Sequence, residues 1–215
     1  MKPELDFIVV EGPIGVGKTT LAKRLAESFG SDLLLEGADE NPFIERFYQD
    51  PKSAALQTQL FFLFQRARQL QELRQADLFR PVHVADFIME KDRLFAQMTL
   101  DDEEFKLYEQ VYSHVTVDAP TPDLVIYLQA PVNVLVKRVS KRGRDYERHM
   151  DADYLDRINE SYTRFFYDYN AAPLLIVNAA ELDLVNNESD YQLLLEQINK
   201  TQSGRRYFNP ASLGI

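Results

Sequence analysis

The chain has 215 residues and a net charge of −10, with 45% hydrophobic and 27% charged residues, figures that suit one α/β domain with a sizeable core. So acidic a chain disfavours a broad nucleic-acid surface, because such binding rests on neutralising many phosphates. No apolar run is long enough to cross a bilayer, the start Met1–Asp6 lacks the regions of a signal peptide, and cysteine is absent, so a cytoplasmic location and no membrane partner are the expectation.

In chain order, Phe7–Val10 is a β-branched and aromatic run fit for a buried strand. Gly12-Pro13-Ile14-Gly15-Val16-Gly17-Lys18-Thr19 follows and matches G-x-x-x-x-G-K-[ST] at every fixed position, with Thr20 next in line. Leu21, Leu25 and Phe29 then recur at helical spacing up to Gly30, a C-cap. Strand, glycine loop and helix stand in the order a phosphate-binding loop requires. Its inward N–H groups and the helix dipole hold a polyphosphate; Lys18 reaches the β and γ phosphates, and the Thr19 hydroxyl suits Mg²⁺. ATP or GTP binding follows.

Leu33–Leu35 reads as a second strand ending at Glu36, Phe43–Tyr48 as a brief helix, and 53–76 as a long helix broken at Pro81. Val82–Ala85 is a third strand ending at Asp86, followed by helices near 91–98 and 101–117. Asp123–Leu128 is a strand, Asn133–Ser140 a helix, Asp153–Tyr169 a long aromatic helix, Leu174–Val177 the last of about five strands, and Tyr191–Asn199 the final helix. The tail from Gly204 shows no pattern. Alternating strands and helices imply a parallel sheet covered on both faces, with ligands beyond the carboxyl ends of the strands.

That rule singles out Glu36 and Asp86. Glu36 either closes a strand or is a carboxylate that orients an acceptor hydroxyl and takes its proton. Asp86 either caps the next helix or serves Mg²⁺, directly or through water. The cluster Lys137, Arg138, Lys141, Arg142, Arg144 and Arg148, interrupted by Gly143, reads as a solvated helix face or as a closing lid over about 138–150; the lid fits better, because phosphoryl transfer needs mobile cations. Gln59, Phe62 and Arg66 fall on one helical face, either a partly exposed edge or a pocket floor with an amide, a stacking ring and a guanidinium. His83, His114 and His149 have no metal-ligand spacing.

With these residues in view, the chain resembles the deoxynucleoside kinase family, which includes the deoxycytidine, deoxyguanosine and deoxyadenosine kinases. The resemblance implies a P-loop kinase fold over the whole chain, 1–215, with an arginine-rich lid, ATP as donor, Mg²⁺, and a small nucleoside as acceptor. It implies Glu36 as the base for the 5′-hydroxyl, in a segment continuing to Asn41-Pro42, and Tyr48 with Glu147 as partners of the 3′-hydroxyl. Gln59-Leu60-Phe61-Phe62-Leu63 is similar to the base-reading helix, Arg66 to its arginine, and Asp92-Arg93 to an acid and arginine that help choose the base. Arg138, Arg142 and Arg144 are similar to the lid arginines. One departure stands out: the family usually has acid, Arg, Ser after the third strand, whereas this chain reads Asp86-Phe87-Ile88. Arg93 or a lid arginine is expected to substitute.

In the family, an arginine and an aspartate beside the glutamine accompany purine or cytosine bases, so the resemblance implies through Arg66 and Asp92 a purine deoxynucleoside or deoxycytidine over thymidine; charged groups desolvated by a base that cannot pair with them cost about 1–3 kcal/mol or more. The family is commonly homodimeric, and the long helix through Phe64 is a candidate interface. Two other readings remain: a monophosphate kinase similar to thymidylate kinase, and a nucleotide-binding module without catalysis. A GTPase switch lacks its Asn-Lys-x-Asp sequence, since Asn199-Lys200-Thr201-Gln202 fails at the last position.

Overall fold

The computed structural model describes residues 5–75, 82–116, 119–182, 184 and 187–209. β1 (Phe7–Glu11) lies at the centre, and every one of its residues is buried. Asp123 pins its start by accepting hydrogen bonds from the backbone N–H groups of Asp6 and Phe7, at 2.8 and 2.9 Å. α1 (Lys18–Phe29) follows the glycine loop and ends at Gly30 in the left-handed conformation expected of a C-cap.

β2 (Asp32–Leu34), β3 (His83–Ala85), β4 (Leu124–Gln129), β5 (Leu174–Asn178) and β6 (Arg205–Phe208) complete a sheet of order β2-β3-β1-β4-β5-β6, parallel throughout. The register pairs Val9 with both Ala85 and Val125, and Val125 with Leu174.

The period of two along a strand decides which core each side chain enters. Ile8 and Val10 join α1 and α8 (Glu188–Lys200) through Leu25, Leu194 and Ile198. Phe7 and Val9 face the other way, toward Leu63 of α3 (Pro51–Gln75) and Tyr162 and Phe166 of α7 (Ala152–Asp168). There Tyr127 of β4 stacks on Phe166 with ring centroids 4.1 Å apart. Side chains of this size contribute about 1.5–3 kcal/mol each when fully buried. A third cluster joins α2 (Ile44–Gln49) to the start of α3 through Phe47, Ala54, Ala55 and Phe62, and it walls the space beyond β2.

Six strands stand where about five are expected. Arg205, Arg206 and Tyr207 are exposed and only Phe208 is buried, so the outer strand carries no apolar alternation by which a sequence would reveal it. Pro51 opens α3, because the first helical position needs no N–H donor. The break at Pro81, the helix end at Val117 and residue 76 lie outside the described residues. Among those described, no helix is long and apolar enough to cross a membrane.

Candidate active site

The strand order reverses at β1, with β3 on one side and β4 on the other, so the loop after β1 sits at a crevice of the kind that binds ligands in such sheets. Gly12 (φ +149°) passes so close to β4 that an added Cβ would lie 2.5 Å from the Leu128 carbonyl oxygen. Gly15 (φ +84°) lies against α6 (Val132–Arg142), where a Cβ would meet Val139 Cγ2 at 2.8 Å. Only glycine permits both the left-handed backbone and the close approach.

Lys18 folds back over the loop and donates to the Gly12 and Pro13 carbonyls at 2.7 and 3.3 Å. Burial, and then the neighbouring Lys91 ammonium, push its pKa down to about 7; a polyphosphate in the loop would favour the charged form again. Thr19 Oγ1 donates to Asp86 Oδ2 at 2.5 Å, and Asp86 Oδ1 accepts from the Glu36 backbone N–H at 2.8 Å. Asp86 caps no helix: α4 (Glu90–Thr99) begins four residues later with Met89 at its N-cap.

Two clefts meet at this loop. The first, of about 310 Å³, is lined by Lys18, Glu36, Tyr48, Gln59, Phe62, Arg66, Asp86, Lys91 and Glu147, and its size lies at the lower end of small-molecule sites. The second, of about 840 Å³, runs between Gly15–Leu21, including Thr20, and Arg138, Arg142, Arg144 and Ala179–Leu182. Arg138 spans it, donating to the Val16 carbonyl at 3.1 Å and the Ala179 carbonyl at 2.8 Å.

In the first cleft Glu36 is held by two cations. Arg66 binds Oε1, and Lys91 Nζ lies 2.7 Å from Oε2. Arg66 is 2% exposed and its other arm pairs with Asp92, which is fully buried. Despite that partner, burial outweighs the guanidinium and raises the Asp92 pKa. The Arg66 guanidinium carbon sits 5.0 Å from the centre of the Phe62 ring. Gln59, 2% exposed, donates through Nε2 to Thr99 Oγ1 at 3.2 Å.

On the opposite wall Tyr48 stacks with Tyr146 at 5.9 Å and meets the edge of Tyr154 at 6.2 Å. Burial, then Tyr154 and Glu147, raise its pKa well above the usual phenol range, so it stays a hydroxyl. Glu147 is 6% exposed and is bound by Arg142 through two contacts of 2.5 and 3.1 Å. Arg144 donates to Tyr146 Oη at 2.7 Å, and both reach Asp39, at 3.2 and 2.6 Å. The segment after α6 thereby crosses the mouth of the cleft.

Two expected residues stand elsewhere. Arg93 is exposed and pairs with Glu109 at 2.9 Å, so it cannot supply a cation beside Glu36. Asp92 does not line the cleft but lies behind Arg66. Phe87, where a family arginine is usual, is fully buried in the apolar core. Sequence reasoning missed Lys91, Glu11, Tyr146 and Asp39. Lys91 and Asp92 are neighbouring buried charges on α4, and two adjacent charges are indistinguishable in sequence from a solvated helix turn.

A phosphate-binding loop at the switch point of a parallel sheet, with a carboxylate-bearing acceptor cleft and arginines across its mouth, defines a P-loop phosphotransferase. The family model described as deoxynucleoside kinase matches residues 8–202. The chain belongs to that family, and its activity is the phosphorylation of a nucleoside 5′-hydroxyl; the monophosphate-kinase alternative is not favoured. The deoxyguanosine kinase of Bacillus subtilis is 33% identical over 200 residues, covering 90% of this chain and 96% of that protein. The deoxyadenosine kinase of Lactobacillus acidophilus is 31% identical over 210 residues, covering 91% and 96%. The solved structure of deoxyadenosine kinase from M. mycoides with dCMP and dCDP has a TM-score of 0.77 and 25% identity, covering 90% of this chain and 99% of that one.

Proposed function

We propose that the protein transfers the γ-phosphoryl of ATP to the 5′-hydroxyl of a purine deoxynucleoside or deoxycytidine in preference to thymidine. The observation that carries this is Glu36 in a charged cleft beside Lys18, with a second cleft meeting it at the loop. In this reading Lys18, Arg138, Arg142 and Arg144 hold the donor phosphates, and Glu36 orients the acceptor hydroxyl and takes its proton late in a loose transition state. Arg142 and Arg144 are displaced from Glu147 and Asp39 to do so. Tyr48 and Glu147 receive the 3′-hydroxyl. Gln59 and Phe62 meet the base, and Arg66, braced by Asp92, supplies directional guanidinium donors that select among base edges. The names of the relatives support this preference, since they act on deoxyguanosine, deoxyadenosine or deoxycytidine.

The Thr19 hydroxyl and the Asp86 carboxylate converge on one point and are hard oxygen donors, which suits Mg²⁺. Among the described residues no group of three or more His, Cys, Asp or Glu could hold a metal, so the cation would complete its shell with phosphate and water. Bound there it supplies charge neutralisation between the phosphates. We further propose one catalytic domain, a homodimer through the exposed Phe64 face of α3, and a cytoplasmic setting.

A coupled ATP-consumption assay with Mg²⁺ on each deoxynucleoside, ribonucleoside and monophosphate tests the proposal. Turnover of deoxyguanosine, deoxyadenosine or deoxycytidine above thymidine is expected. Turnover of monophosphates alone, or of thymidine above the rest, overturns it.

A further inference from the structure

The cation closest to the Glu36 Oε2 atom is a lysine that belongs to no motif. Lys91 is 4% exposed, and its Nζ lies 2.7 Å from Glu36 Oε2 and 3.8 Å from Glu11 Oε1, with the centre of the Phe95 ring 5.8 Å away. An ammonium so far out of water is tolerated only where carboxylates stand close. Burial pushes its pKa down, Glu11, Asp86 and Asp92 draw it back up, and Arg66 opposes them.

Both carboxylates are themselves anchored. Glu11, fully buried, accepts from the Gly12 N–H at 2.9 Å, the Ile88 N–H at 3.1 Å and the Tyr162 hydroxyl at 3.0 Å. It is thus fixed to the first residue of the phosphate loop and to the chain after β3. Glu36 has Arg66 on Oε1, which by itself would leave the carboxylate free to pivot about that contact. A second cation on Oε2 removes the pivot. The lysine ammonium is compact enough to sit between two carboxylates where a planar guanidinium would demand more room.

We propose that Lys91, braced by Glu11, is a positioning residue for phosphoryl transfer, holding the Glu36 carboxylate in register with the phosphate loop. The proposal rests on the reading of Glu36 as the residue that orients the acceptor hydroxyl. A loss of placement of about 1 Å at such a group costs roughly 100-fold in rate, so the loss of Lys91 shows in kcat far more than in donor binding.

The test uses the full chain and four variants: Lys91→Met, Lys91→Gln, Glu36→Gln and the double variant Lys91→Met/Glu36→Gln. Steady-state kinetics use whichever deoxynucleoside the wild type turns over best, with ATP affinity measured by fluorescence titration. Lys91→Met is expected to lower kcat by about 100-fold while ATP affinity stays within about threefold. The double variant should be no more than about threefold slower than Glu36→Gln alone, because a lysine that acts through Glu36 has nothing left to position. A merely structural role would multiply into the Glu36→Gln background. Lys91→Gln keeps a donor without the charge and carries the same expectation should Lys91→Met not fold. Wild-type kcat in either folded lysine variant, or multiplicative losses in the double variant, overturns the proposal. If Glu36→Gln itself keeps full kcat, the reading of Glu36 falls; if it is slow while the lysine variants are not, only the role of Lys91 falls.

Discussion

Replacing Arg66 with Met removes a group that contacts both Glu36 and Asp92. Asp92 is fully buried, and among the described residues nothing hydrogen-bonds its Oδ2, so the variant would leave a buried carboxylate without its contacting cation, with only the neighbouring Lys91 ammonium acting on it. Breaking a buried pair from one side costs about 3–5 kcal/mol. At about 2–4 °C per kcal/mol for a chain of this size, Tm should fall by roughly 6–20 °C. The loss should depend on pH, and its sign is determined by Asp92. Its folded pKa is raised above the ordinary 3.8, chiefly by burial. The stability linked to its neutral form is therefore fully present below the ordinary value and is lost as pH rises through the raised one. Without Arg66 the raised value climbs further, so the penalty should be smaller near pH 5 than near pH 8. Urea denaturation of the wild type and the variant at both pH values measures this. Restoration of most of the loss by adding Asp92→Asn is expected. A penalty below about 1 kcal/mol, or one that grows toward acid, refutes the account of a charge held in a low-dielectric interior.

Glu36→Gln should lower kcat by about 10²–10⁴-fold while ATP affinity is unchanged, read by single-turnover kinetics and nucleotide titration; equal loss of both would make Glu36 a structural residue. Gly15→Ala places a Cβ 2.8 Å from Val139 and 3.0 Å from the Leu135 carbonyl at a φ of +84°, so about 1–3 kcal/mol of strain should appear as a lowered Tm together with loss of ATP binding. Tyr48→Phe should raise KM for a deoxynucleoside by about two- to tenfold, the equivalent of one neutral hydrogen bond, and leave KM for the 3′-deoxy analogue unaffected. An equal effect on both analogues would place the Tyr48 hydroxyl away from the sugar.

Much of the fold and part of the site were legible in the residues. The phosphate loop is local: glycines, lysine and threonine are contiguous, and their chemistry follows from spacing alone. Glu36 and Asp86 were legible because each closes an apolar strand, and in a parallel sheet such ends share one edge. Gln59, Phe62 and Arg66 were legible because a helix repeats its faces. The outer strand was not, since one buried Phe208 among exposed neighbours carries no period. The choice between Arg93 and Lys91 was not legible either. Two positions apart on one helix, they lie about 200° from each other around its axis, and which of them faces the sheet depends on how α4 packs against α3 and the helix Asp102–Val115.

The sequence by itself determined that a nucleotide phosphate is bound, that a parallel sheet carries the loop, and that acids stand at its carboxyl edge. These depend on contiguous residues and on the periods of helix and strand. Tertiary structure alone decided that Arg66 and Lys91 grip the two oxygens of Glu36, that Asp92 stands behind Arg66, and that Arg144, Tyr146 and Asp39 close the mouth. Each of those contacts joins elements far apart in the chain, and charges are brought together, buried and shifted only by the packing that encloses them.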